Sequence, residues 1–240
     1  MAEDTRGGLR ADARRNRDRI VASARALFAE HGAKVPMEEI ARCAGVGVGT
    51  LYRRFPDRES LLHAVSADAM RRMLATARAA AEEEPDGWHA LVRYLRAYGE
   101  LHNGALHASV DPEMHDRIRR GPDVTRDRRA LLAVLTGIIE RAHAEGALRR
   151  DVGLGDISSV FALHLHLPAG TGAEAARAAP RRLVELLIAG LRAPAAEPLP
   201  GPPMAAADLE PADPPAAAPR RGAPEGGGGP AGQTAVSSNL

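Results

Sequence analysis

Before Ala193 the apolar residues of this chain recur at three- and four-residue spacing. Ile20, Val21, Ala24, Leu27 and Phe28 fall on one stripe of a helix, as do Leu61, Leu62, Val65, Ala69 and Met73. Trp88, Leu91, Val92 and Leu95 repeat the pattern, and Leu131, Leu132, Leu135, Ile138, Ile139 and Ala142 repeat it again. A stripe with this period is stable only when other helices cover it. Gly and Pro interrupt the pattern at Gly32, Pro56, 84–87, 111–112, 121–122, 145–146 and 168–172, which marks the helix ends. Alternating β-branched runs, the mark of a half-buried strand, are missing. The sequence therefore predicts an all-α fold. From Ala193 onward Pro, Ala and Gly dominate and no aromatic residue occurs. Such a stretch buries too little apolar surface to offset its ordering entropy, so residues 193–240 are expected to be a disordered tail.

One short stretch departs from this plain helical pattern. Only 3% of the chain is aromatic, yet GVGVGTLYRRFPDRESL, from Gly45 to Leu61, interleaves Tyr52 and Phe55 with three arginines after a glycine-rich turn. Just before it, PMEEIARC suits a short helix with Pro36 in the first turn. Gly45 then suits a tight turn, and a second helix is expected from about Val48 to Phe55, stopping before Pro56. Two short helices joined by such a turn form a helix-turn-helix. On a helical wheel Leu51 and Phe55 point inward, and Arg53 points outward with Gly49 and Thr50 beside it. Arg54 lies on the other shoulder, and Tyr52 sits at the boundary with its hydroxyl free. Asp57 is placed to cap the following helix. Arg58 falls in that helix's first turn, where a phosphate would meet backbone N–H groups. An exposed helix of this kind suits the major groove of DNA. The same spacing also suits a plain helical hairpin whose arginines only solvate one face.

Charge is unevenly spread, though the excess is too small by itself to indicate nucleic acid. Residues 1–58 carry 12 Arg and Lys against 8 Asp and Glu, an excess of +4. The excess falls to zero over 59–192 and to −3 over 193–240, so a polyanion would be met at the N-terminal end. No apolar run approaches the roughly 20 residues of a membrane span, and the charged N-terminus lacks the apolar core of a secretory signal. Cys43 is the only cysteine, so no intramolecular disulfide can form, and a cytoplasmic location is expected. Cys43 itself reads as filler in the helix-turn-helix core rather than a redox sensor.

Residues 14–73 resemble the DNA-binding domain of the TetR/AcrR family of bacterial transcriptional regulators. The resemblance rests on RDRIVASARALFAEHG and on MEEIARCAGVGVGTLYRRFPDRESLL, with AEGALRRDVGLGDI at 144–157 as a weaker echo. It implies a helix-turn-helix domain at 13–73, a ligand-binding and dimerisation domain at 74–192, and a homodimer on a palindromic double-stranded operator, nucleoid-bound when on DNA. By position, Gly49, Thr50 and Arg53 would read bases, while Tyr52, Arg54 and Arg58 would grip phosphates. Arg14 and Arg17 would reach the DNA from an N-terminal arm. The chain departs from the family pattern at Pro36, where many members have a capping Ser or Thr. It departs again at Gly47 and Val48, where many have a hydroxyl and a basic residue.

The second domain is expected to dimerise through its last two helices. RRLVELLIAGLR is apolar around most of its circumference, and DISSVFALHLHL reads the same way. Val160, Leu163, Leu183, Leu187 and Leu191 are the expected interface of a two-fold four-helix bundle; a fully intramolecular core is the alternative. An effector pocket is placed at Trp88, His102, Met114, Phe161 and His164. The nine histidines show no zinc spacing, so no metal and no cofactor is expected. His107, His115 and His166 read as packed or solvated. No nucleophile elbow or phosphate loop appears, and GVGVG follows a helix rather than a strand, so catalysis is not expected. The function read from the sequence is a transcriptional regulator, most simply a repressor released by a small ligand. A helical ligand-binding or scaffold protein without operator affinity is the alternative.

Overall fold

The computed structural model describes the backbone of residues 2–101, 111–162, 173–194, 197–205 and 208, and most side chains within them. His102, His107, Leu163, His164 and His166 lie outside the described residues, as does the side chain of Phe161. Among the described residues the structure is helical without a β-sheet: α1 (Ala2–His31), α2 (Met37–Cys43), α3 (Val48–Arg54), α4 (Arg58–Glu83), α5 (Gly87–Leu101), α6 (Pro112–Arg120), α7 (Pro122–Ala144), α8 (Leu154–Ala162) and α9 (Ala173–Leu191). The all-α expectation holds, and the ends of α1, α3, α4, α6 and α7 fall beside the predicted Gly and Pro positions. No described helix is long and apolar enough to cross a membrane.

Two cores form. In the first, Ile20, Ala24 and Phe28 of α1 meet Ile40 of α2, Leu51 of α3, Phe55, and Leu61, Leu62 and Val65 of α4. In the second, Leu74, Ala77 and Ala80 of α4 pack with Trp88, Leu91 and Leu95 of α5, with Leu135, Ile138 and Ala142 of α7, and with Val184, Ile188 and Leu191 of α9. α4 thus serves both. Its 26 residues span about 39 Å at 1.5 Å per residue. Asp57 caps it as expected, its carboxylate accepting from Ser60 N at 2.7 Å.

α6 belongs to the second half of the sequence but packs on the first core. Ile118 is buried there, and Met114 packs against the same group. Arg117 grips Glu59 in the first turn of α4, Nε to Oε1 at 2.9 Å and Nη2 to Oε2 at 3.3 Å. Met114 was expected in an effector pocket; its helix instead packs it against the first core.

The start of the expected tail is also held. Arg149 N donates to Leu191 O and Ala193 N to Ala147 O, both at 3.0 Å. The Asp151 carboxylate receives Leu199 N at 2.7 Å, and Asp156 receives Met204 N at 3.0 Å. Gly155 N donates to Met204 O at 2.9 Å. A side chain at Gly153 or Gly155 would collide with Met204, so the strap 197–205 fits because both are glycines. Composition predicts disorder from Ala193 because little apolar area is available. The prolines at 198, 200, 202 and 203 have no N–H to satisfy, however, and Leu199 and Met204 find carboxylates. Residues from 209 onward lie outside the described part.

Candidate nucleic-acid interface

α2 and α3 are joined by a turn whose Gly45 has φ +63°, a conformation that disfavours any side chain. The turn closes with Val46 N donating to Ala41 O at 3.0 Å. Pro36 stands at the N-cap of α2 with no capping side-chain bond, and Gly47 does the same for α3. The cap that the sequence lacks at Pro36 is therefore absent from α2.

α3 is clamped from below. Leu51 is fully buried and Phe55 nearly so, four residues apart on one face. Arg53 lies opposite them; Val48, Gly49, Tyr52 and Arg54 are also exposed, and Thr50 is half-buried. Arg53 Nη2 donates to Thr50 Oγ1 at 2.9 Å, one turn back along the helix, which fixes the plane of the guanidinium. Both arginines occupy the last turn, where the helix dipole favours positive charge. At Gly49 an added Cβ would meet no atom within 4 Å, so the backbone is bare to the outside.

Four expectations change. The Tyr52 hydroxyl is not free: it donates to Glu38 Oε1 of α2 across a long 3.4 Å. Arg58 turns inward, its Nη1 donating to Ala33 O at 2.6 Å and Val35 O at 2.7 Å. Those carbonyls belong to the loop between α1 and α2, so Arg58 ties that loop to α4 rather than facing outward. Arg14 and Arg17 lie on a continuous α1 and not on an arm, Arg14 exposed and Arg17 half-buried 3.8 Å from Asp18. Abundant Ala and Arg keep this segment helical, and Asp12 pairs with Arg15 one turn on. Cys43, expected in the core, is exposed at the end of α2.

Sequence reasoning missed two residues. Val48 opens α3 with 39% of its surface exposed between Gly47 and Gly49. Arg19 of α1 donates through Nη2 to Asn16 Oδ1 at 2.6 Å, and its Nη1 lies 3.9 Å from where a Cβ on Gly45 would stand. The first was visible as an apolar residue between two glycines. The second depends on α1 crossing the turn, which no local pattern reveals.

Away from this face, a cleft of about 350 Å³ opens between α5 and α9. Trp88, Val92 and Ile188 contribute apolar surface, and Arg96 and Glu185 join across it at 2.7 and 3.0 Å. Arg192 lies over the Trp88 ring, 5.2 Å from its centroid. Of the expected pocket residues, Trp88 is the one the described structure places here. Tyr94 and Tyr98 pack nearby with ring centroids 6.2 Å apart, and burial pushes both hydroxyl pKa values up.

On the expected dimer surface, Val160 is exposed, and Leu183 and Leu187 are half-buried. Leu191 is buried in its own domain's core, which removes it from an interface. The i, i+4, i+7 set Val184, Ile188 and Leu191 faces inward, so the outward face of α9 carries Leu186, 65% exposed.

The family model described as bacterial regulatory proteins, tetR family, matches residues 20–65, and that described as transcriptional regulator SbtR-like, C-terminal domain, matches residues 84–193. A solved TetR transcription regulatory protein from Mycobacterium vanbaalenii is 33% identical, with 77% of this chain and 99% of that chain covered and a TM-score of 0.51. A TetR transcriptional regulator from Streptomyces coelicolor is 31% identical, with 75% and 99% covered and a TM-score of 0.54. An HTH-type transcriptional regulator from Staphylococcus aureus is 45% identical over 58 residues, which is 24% of this chain. The match spans 31% of the length of that curated relative.

Proposed function

The chain belongs to the TetR family of bacterial regulatory proteins, and on that premise we propose that it is a homodimeric transcriptional repressor that leaves a palindromic operator when a small ligand occupies its C-terminal domain. The observation that carries the reading is α3: one face locked into the core by Leu51 and Phe55, the other free and bearing Gly49, Tyr52, Arg53 and Arg54. In this reading Arg53, steadied by Thr50, takes a base edge, because a fixed guanidinium plane suits the paired acceptors of guanine. The bare backbone at Gly49 admits close approach. Arg54 and Tyr52 meet phosphates, with Arg14, Arg17 and Arg19 of α1 adding positive charge along the backbone. α8 and α9 supply the dimer contact through Val160, Leu183, Leu186 and Leu187. The cleft beside Trp88 offers the effector an apolar floor with charged groups at its rim.

Binding of the purified full chain to its own promoter, followed by fluorescence anisotropy across a salt series, tests this. Each phosphate neutralised adds about 0.9 to the slope of log K against log salt, so several contacts give a steep fall. A two-fold symmetric footprint is expected. Equal affinity for promoter and random duplex, or a flat salt series, overturns the reading.

A further inference from the structure

We infer that Val48 is a specificity-determining residue that reads the C5-methyl group of a thymine in each half-site; the inference rests on the reading of α3 as the DNA-facing helix. Val48 is the first residue of α3, and the first residues of a recognition helix are those that reach base edges. Its neighbours, Gly47 and Gly49, have no side chains, and both are exposed. The isopropyl group has no neighbouring side chain on either flank, and 39% of its surface is open in the first turn of the helix. Tyr52 lies one turn further along the same side and is also exposed. Within the protein Thr50 Oγ1 takes Arg53, and the Tyr52 hydroxyl takes Glu38.

The chemistry of the groove narrows what Val48 meets. A branched hydrocarbon gains nothing from a phosphate oxygen or from the donor and acceptor edges of guanine, adenine and cytosine. The thymine C5-methyl is the one apolar group that the unmodified major groove displays. Valine suits it because branching at Cβ leaves few χ1 states, so two methyl groups are held in place before DNA arrives.

The test begins with in vitro selection of duplexes bound by the full chain. Each thymine of the selected operator is then replaced singly by deoxyuridine, which deletes the methyl and leaves the pairing edge intact. One thymine position per half-site is expected to lose about fourfold in affinity, the worth of one buried methyl, and about sixteenfold when both half-sites are changed. Val48→Ala is expected to bind the thymine and deoxyuridine operators equally at that position. Alanine is the better helix former at an exposed site, so the variant keeps its fold, and a thermal melt checks this. The inference falls if no thymine is sensitive in the wild type, or if the sensitive position stays sensitive in Val48→Ala while selection still returns a consensus. If selection returns no consensus at all, the reading of the chain as an operator-binding regulator falls, and this inference with it.

Discussion

Arg58→Ala separates a DNA contact from a structural tie. Arg58 Nη1 lies 2.6 Å from Ala33 O and 2.7 Å from Val35 O, and both of those residues are buried. A hydrogen bond from a charged donor is worth about 1.5–3 kcal/mol, and one nitrogen shared by two carbonyls does not double it. The expected loss is therefore about 2–3 kcal/mol, a large part of a folding free energy of about 5–15 kcal/mol. For a chain of this size that lowers the thermal midpoint by about 5–10 °C. Urea denaturation measures the loss directly. Operator binding measured well below the midpoint should keep its salt slope, because no phosphate contact is removed. Stability unchanged to within about 0.5 kcal/mol, together with a slope smaller by about one, would refute the argument and restore Arg58 to the phosphate backbone.

Gly49→Ala should move stability and binding in opposite directions. Its Cβ meets nothing within 4 Å, so the helix gains roughly 0.5 kcal/mol, while a methyl thrust toward DNA weakens operator binding about tenfold or more; equal affinity would show that the backbone does not approach DNA there. Ending the chain at residue 194 removes the strap and leaves Asp151 and Asp156 without their Leu199 and Met204 partners, so its melting midpoint should fall, whereas ending at 208 should leave it unchanged. Differential scanning calorimetry of the two truncations decides this, and equal midpoints would mean that the strap does not stabilise the domain.

What was legible in the sequence was local. The inward turn of Leu51 and Phe55 and the outward turn of Arg53 follow from 3.6 residues per turn, and Asp57 caps α4 from a signal three residues long. What was misread depended on partners far away in the chain. Arg58 finds its carbonyls 23 and 25 residues back, and Met114 packs on a core built from residues 20–65 and Ile118. Leu191 was misassigned because a helix apolar on most sides does not say which stripe its own domain takes. The strap escaped notice because a composition argument weighs apolar burial, while 197–205 is held by backbone N–H groups on two carboxylates. Cys43 departs from the usual burial of free cysteine because α2 has only seven residues and turns Met37, Ile40 and Ala41 inward.

The packing of α6 gives communication between the two cores a specific route. α7 lies against α4 and α5 and begins two residues after α6 ends, so a ligand that shifts α7 also pulls on α6. At the other end, α6 holds the DNA-binding core through buried Ile118 and grips the first turn of α4 through Arg117 and Glu59. The Arg117–Glu59 pair is exposed at both ends and contributes little. Ile118 therefore dominates the link, and Ile118→Ala should cost about 2–4 kcal/mol through lost burial and the cavity left behind. The loss should fall unevenly. Amide exchange in α2 and α3 should accelerate by about thirtyfold or more, because their core loses a wall, while α5 and the C-terminal half of α7, packed around Leu91, Leu135 and Ile138, should change far less. Native-state hydrogen exchange resolves the two regions. An equal acceleration in both would mean that they open only together, and α6 would then be one wall of a single cooperative unit rather than a separable link between effector and operator.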